Sequence, residues 1–160
     1  MIGVMSDSHD NCVAIQHAVR FFKKMKCELV IHAGDFVAPF AAQELEQAEC
    51  SVKAVFGNCD GEKKGLTKAI QPFGEIKEAP LVFSHSERLI LITHIHVSVK
   101  KHAASKRYRT IVFGHTHKPE IREIHNTLLI NPGETGGWLT GKSTVALLDP
   151  ETWEAEIITL

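Results

Sequence analysis

The stretch Ile2-Gly3-Val4-Met5-Ser6-Asp7-Ser8-His9 decides how the rest of this 160-residue chain is read. A short apolar run, too short for a helix, reads as a buried strand. At its end the chain turns polar at once, with a carboxylate and an imidazole two residues apart. The same pattern returns four times. The apolar runs Leu29–His32, Val52–Phe56, Leu89–Thr93 and Thr110–Phe113 lead into Gly34-Asp35, Gly57-Asn58-Cys59-Asp60, His94-Ile95-His96 and Gly114-His115-Thr116-His117. In α/β sheets ligands bind in the crevice beyond the carboxyl ends of the strands. Parallel pairing of these strands therefore predicts that all five clusters meet in one crevice.

The segments between the strands support that pairing. Asn11 to Lys26 has helical spacing, with Val13, Ile15, Ala18, Val19, Phe22 and Met25 mostly on one face and Asp10 or Asn11 as the cap. Pro39–Gln47 reads as a second helix, Gly65–Ile70 as a short third and Val97–Lys106 as a fourth, basic on one side. This β-α-β-α-β opening argues for a parallel sheet with crossover helices. Gly74 and Pro80 punctuate the middle, and Leu81–Ser84 is a strand that turns at His85-Ser86-Glu87. Glu120–His125, Thr127–Ile130, Ser143–Leu148 and Glu154–Leu160 read as an antiparallel meander, with Asn131–Lys142 as a Gly- and Thr-rich loop. Nine or ten strands are many for one open sheet of this size, so the expectation is an α/β fold with two packed sheets.

Composition narrows the function classes. A net charge of −1 advertises no footprint for nucleic acid, and the Lys100, Lys101, Lys106, Arg107 and Arg109 group reads as a solvated helix face. No apolar run approaches the roughly 20 residues of a membrane helix. Met1–Met5 is far too short for the apolar region of a signal peptide. Cysteines 12, 27, 50 and 59 form no C-x-x-C pair, and reduced thiols in the cytoplasm are expected. The ten histidines stand out, because histidine is the commonest metal ligand and a frequent acid or base.

The clusters themselves are metal chemistry. Asp7/His9, His94/His96 and His115/His117 are spaced by two, so in extended backbone each pair aims two side chains at one place. Asp7, Asp35 and Asp60 offer carboxylates, Asn58 an amide oxygen, and His9, His94, His115 and His117 imidazoles. Mixed donors of this kind suit divalent first-row ions. They are too many for one ion, and two ions sharing a carboxylate fit the count. Two metals about 3.5–4 Å apart are the arrangement used for in-line displacement at phosphorus.

With its motifs in the order D-x-H, G-D, G-N-C-D, H-x-H and G-H-x-H, the chain resembles the calcineurin-like metallophosphoesterases. The likeness is to the small archaeal and bacterial phosphodiesterase branch, and also to the retromer scaffold subunit. It runs from residue 2 to about 133. It implies one metallophosphoesterase domain over 1–160, built as two mixed sheets flanked by helices in a four-layer α/β/β/α sandwich. It further implies hydrolysis of phosphate esters, most of all phosphodiesters, by a hydroxide bridging two divalent transition metals. Manganese is the expected ion, with nickel, iron, cobalt, zinc or magnesium as alternatives. Asp7, His9 and His117 would hold one metal and Asn58, His94 and His115 the other, with Asp35 bridging. The catalytic set would be Asp35, Asn58 and His96, with His96 toward the phosphate, Asp60 orienting the Asn58 loop and Cys59 on the substrate side.

Three positions depart from the pattern. Cys59 stands where many relatives have a histidine that serves the leaving group. A thiol is a poorer proton donor there, which shifts the expected substrate toward diesters and good leaving groups. Ile95 stands where glycine is usual, and its β-branch requires either extended backbone between His94 and His96 or a different loop. Asn131-Pro132-Gly133 continues as Glu134-Thr-Gly-Gly-Trp138, so substrate contacts from that loop do not follow from the resemblance. A protein-binding scaffold of the same fold is the alternative function, and the complete donor set speaks against it. The expected partners are a small phosphate ester and, through the apolar C-terminal strands, a second copy of the chain.

Overall fold

The computed structural model describes all 160 residues. Eleven strands form two sheets. The larger contains β1 (Ile2–Met5), β2 (Leu29–His32), β3 (Ser51–Val55), β4 (Gly74–Lys77), β10 (Thr144–Leu148) and β11 (Ala155–Thr159), in the order β11-β10-β1-β2-β3-β4. The strands β1 to β4 are parallel, and β10 runs antiparallel to β1. The smaller sheet contains β5 (Leu81–His85), β6 (Arg88–Ile92), β7 (Thr110–Val112), β8 (Glu120–Ile124) and β9 (Thr127–Asn131), in the order β5-β6-β7-β9-β8. There β6, β7 and β9 are parallel.

Side-chain alternation along the strands builds the layers. Ile2 and Val4 of β1 and Leu29 and Ile31 of β2 face Ile90, Ile92, Val112 and Ile130 of the smaller sheet, forming a core between the sheets. Met5, Val30 and Val52 point the other way. They meet Ile15, Val19 and Phe22 of α1 (Cys12–Lys24), Ala41 and Ala42 of α2 (Pro39–Gln43) and Leu66 and Ile70 of α3 (Lys63–Ile70). Leu91, Ile111 and Leu129 pack on Val99 and Ala103 of α4 (Val99–Ala104). The result is the expected four-layer α/β/β/α sandwich.

Local chemistry sets the helix ends. Asn11 caps α1 by accepting from the Ala14 N–H at 3.2 Å, and Lys23 and Lys24 face the negative end of the helix dipole. The helix expected over Pro39–Gln47 splits into α2 and a 3-10 turn, Glu44–Ala48, that ends at Glu49 with φ +55°.

Two expectations are corrected. The C-terminal strands are not one meander. They form two hairpins in different sheets, β8-β9 and β10-β11, because Asn131 to Ser143 carries the chain from one layer to the other. Gly74 does not interrupt the middle segment. It opens β4, where any Cβ would collide with the backbone of Val52 on the neighbouring strand.

Candidate metal centre

All five polar clusters lie at the carboxyl ends of parallel strands, on one side of the sandwich. The route by which their side chains converge differs from the one expected. Asp7 and His9 have φ of +52° and +40°, and His115 and His117 have φ of +70° and +59°. These pairs are left-handed turns, a conformation that non-glycine residues adopt rarely and that clusters at functional sites. Only Ile95, with φ −76° and ψ 127°, has the extended backbone that its β-branch requires.

Asp7 is fully buried. Its Oδ2 accepts from Ser6 Oγ at 2.6 Å and from the His115 N–H at 3.1 Å. Burial pushes its carboxyl up from the usual value, against the Ser6 hydrogen bond and the charges of His94 and His117. His117 Nε2 lies 3.4 Å from Asp7 Oδ1, and His9 Nε2 lies 3.9 Å from the same oxygen. The His9 and His117 rings stack at 5.3 Å.

Asp35 stands in the middle. Its Oδ2 is 3.3 Å from His94 Nε2 and 3.7 Å from His9 Nε2, and its Oδ1 accepts from the Cys59 N–H at 2.8 Å. Burial resists its ionisation, but the bonds from His94 and the Cys59 amide outweigh burial and hold the carboxyl well below its ordinary range. Asn58 Oδ1 sits 2.9 Å from His94 Nε2 and 2.8 Å from His115 Nδ1, so amide and imidazoles meet at one point. His94 Nδ1 is 2.7 Å from the Ala33 carbonyl. A carbonyl only accepts, so Nδ1 carries a proton and Nε2 is turned toward Asp35 and Asn58.

The loops approach closely enough to demand glycine at two positions. A Cβ on Gly57 would fall inside the Asp35 carboxylate, and one on Gly114 inside Ser6 Oγ. Asp60, also buried, shapes the bend around Gly57. Its Oδ2 accepts from the Asp35 and Gly57 amides at 2.9 and 2.7 Å, and its Oδ1 from the Val37 amide at 2.7 Å.

Not every residue singled out faces the same space. His96 opens a 3-10 turn, stacks on His115 at 5.8 Å and lines a neighbouring cavity of about 280 Å³. The cavity beside the clustered donors, about 440 Å³, is lined by His9, Asp35, Asn58, Cys59, His115 and His117. It also draws on Glu134, Trp138 and Leu139, which sequence reasoning left unassigned. Glu134 is a fully buried acid whose Oε1 lies 3.4 Å from His117 Nδ1. Trp138 Nε1 donates to the His9 carbonyl at 3.0 Å. The available signal was an acid and a tryptophan within a glycine-rich loop. The Cys59 residue is exposed at the cavity rim, but partial loss of water around its sulfur, together with the Asp35 charge, pushes its thiol up to about 11.

His32 behaves as a satisfied core histidine. Its Nδ1 accepts from the Gly34 amide at 3.2 Å, its Nε2 meets Ser8 Oγ at 3.0 Å, and burial lowers its pKa.

The donors fit divalent cations. Atoms of Asp7, His9 and His117 lie within 4.8 Å of one another, as do those of Asp7, Asp35 and His94 and those of His9, Asp35 and Cys59. Two adjacent buried carboxylates need positive charge beside them. The buried Nε2 of His9 has no hydrogen-bond partner, and it is aimed at both carboxylates.

A family model described as the calcineurin-like phosphoesterase superfamily domain matches residues 1–152. The chain belongs to the calcineurin-like phosphoesterase superfamily. Among its relatives in that superfamily is a phosphodiesterase of Methanocaldococcus jannaschii, 36% identical, with 99% of this chain and 98% of the relative covered. A solved structure of an archaeal phosphodiesterase superposes with a TM-score of 0.94 at 35% identity, covering 99% of both chains. Vps29 of Entamoeba histolytica, at 16% identity and a TM-score of 0.69 over 99% of this chain and 98% of its own, shares the calcineurin-like fold.

Proposed function

We propose that this phosphoesterase hydrolyses small phosphodiesters at a centre of two divalent transition-metal ions, with manganese as the working ion. The observation that carries the reading is the position of Asp35 between His94 Nε2 at 3.3 Å and His9 Nε2 at 3.7 Å. A carboxylate so placed can serve donors on both sides. Asp7, His9 and His117 would hold one ion, Asn58, His94 and His115 the other, and Asp35 would be shared. Bound there, two cations supply the Lewis acidity that makes water a nucleophile at neutral pH and offset charge developing on the phosphoryl oxygens.

The chain's own residues do the rest. The Ala33 carbonyl fixes the His94 tautomer, and the Cys59 amide keeps Asp35 ionised and oriented. Asp60 ties the Asn58 loop to the segment after β2 through the Asp35 and Val37 amides, and closes its own loop through the Gly57 amide. Trp138 and Leu139 give the cavity an apolar wall on which a diester's organic substituent can rest. His96 contributes from the rim through its stack on His115. Cys59, a weak proton donor beside the cavity, favours esters whose leaving group departs without a proton. The M. jannaschii relative is a phosphodiesterase, which supports the same preference.

The whole chain would act as one domain. Four free cysteines suit a reducing cytoplasm. A scaffold function alone would leave a full set of donors without use. Turnover of bis-nitrophenyl phosphate should require added manganese and exceed that of mononitrophenyl phosphate. Folded protein with no metal-dependent turnover of either ester would refute the proposal. Sedimentation of the same sample reads whether a homodimer forms.

A further inference from the structure

The larger cavity of the molecule, about 690 Å³, lies at the opposite end of the strands from the metal-ligand crevice. It opens at the amino ends of β6, β7 and β9. Four cations converge on it: Arg88 at the start of β6, and Lys106, Arg107 and Arg109 from the segment between α4 and β7. In a chain whose net charge is −1, this is a local concentration of positive charge. Of the four, only Arg109 has an acidic partner, Glu123 at 4.0 Å. Arg88, Lys106 and Arg107 are exposed and free to engage another anion.

The cations are supported by aromatic rings. The Arg107 guanidinium stands 5.8 Å over the Tyr108 ring, and that of Arg109 stands 6.0 Å over the Trp153 ring. Arg109 Nη1 also donates to the Asn126 carbonyl at 3.1 Å. Trp153 has φ +61° in the turn between β10 and β11. Its amide donates to the Asp149 carbonyl at 2.8 Å, and its indole is nearly buried at the cavity wall. Charged fork donors, a guanidinium plane backed by an indole and a volume suited to a small ligand therefore coincide in one concave space.

We propose that this cavity binds a small organic polyphosphate of the nucleoside di- or triphosphate class. Arg88, Lys106 and Arg107 hold the phosphates, and the base lies on the Arg109 guanidinium, which the nearly buried Trp153 ring backs. A nucleic-acid strand fits less well, because Glu87 and Glu123 interrupt any continuous basic track along which a backbone would run. The proposal is independent of the phosphoesterase reading, since it uses none of the metal-ligand residues.

The test uses the metal-loaded full chain carrying Trp138→Phe, which leaves Trp153 as the sole tryptophan. Its fluorescence is titrated with the non-hydrolysable ATP analogue adenylyl imidodiphosphate. A saturable change is expected, weakened about tenfold or more when Lys106→Glu and Arg107→Glu are added together. Arg88→Glu alone should weaken it in the same direction. Bis-nitrophenyl phosphate turnover by Lys106→Glu with Arg107→Glu in the chain that keeps Trp138 should stay at the rate of the unaltered chain, which controls for folding. Absence of a saturable change would overturn the proposal. So would unchanged affinity in the charge-reversal variants, which would put the ligand at the metal centre. Tighter binding of a short oligonucleotide than of the nucleotide analogue would overturn it in favour of a nucleic-acid surface.

Discussion

Glu134 Oε1 lies 3.4 Å from Nδ1 of His117, and the carboxylate is fully buried. Three donors hold it there: the Leu139 amide at 2.9 Å, the Thr140 amide at 3.0 Å and Thr140 Oγ1 at 3.0 Å. Burial opposes its charge, but these bonds and His117 outweigh burial and lower its pKa. The carboxylate charge beside the His117 ring, at ion-pair range and outside hydrogen-bond geometry, raises basicity at the far nitrogen. Glu134→Gln should therefore weaken metal binding by about 10–100-fold with the fold retained. Competition against a chromogenic chelator reads this directly, and an unchanged affinity would show that Glu134 serves only the loop.

Asp60 presents a separable structural role. Its carboxylate satisfies the amides of Asp35, Gly57 and Val37, which lie in the two loops that carry Asp35 and Asn58. Asp60→Ala leaves those amides without their partner, at a cost of about 1–3 kcal/mol for each one that stays buried. Urea unfolding in chelator should show a loss of about 3 kcal/mol or more. A loss below about 1 kcal/mol would mean that water replaces the carboxylate freely.

Cys59 predicts a gain of function. With histidine in its place, a group that titrates near neutral pH would stand at the cavity beside the departing ester oxygen. Cys59→His should raise kcat about tenfold or more on a diphenyl ester, whose leaving group needs a proton. It should change the nitrophenyl ester much less. Equal effects on both esters would assign residue 59 to binding instead of proton transfer.

The metal-free protein should weaken in mild acid through His32. Its folded pKa is depressed by burial, so below the unfolded value of about 6.5 the unfolded chain binds the extra proton and stability falls with pH. The slope approaches 1.4 kcal/mol per pH unit. His94 shifts the other way, its Asp35 hydrogen bond and charge outweighing burial. Its contribution is complete below about 6.5 and is lost as pH rises above that. The two windows are therefore distinct, and His32→Gln should flatten only the acid side of a stability–pH curve measured in chelator.

Much of this centre is legible in the chain because each donor follows a short apolar strand, and parallel pairing gathers strand ends. Asp7, Asp35, Asn58, His94 and His115 meet for that reason. What stayed hidden was backbone geometry and long-range contact. The spacing by two in Asp7/His9 and His115/His117 suggested extended chain, whereas both pairs bend through positive φ, held by bonds such as that from the His115 amide to Asp7. Glu134 reaches His117 only after the chain crosses from β9 to β10, and no local pattern announces that contact. The strand β4 was masked by Gly74, which is needed for close approach to Val52 and does not break the element.

The central claim rests on Asp35 as the carboxylate shared by two ions. Its most direct test is manganese-saturated turnover of bis-nitrophenyl phosphate by Asp35→Asn beside the parent protein. A neutral amide keeps the shape and removes the charge between His9 and His94. The account predicts a fall of about a thousandfold or more. An Asp35→Asn protein that retains the parent rate would contradict it.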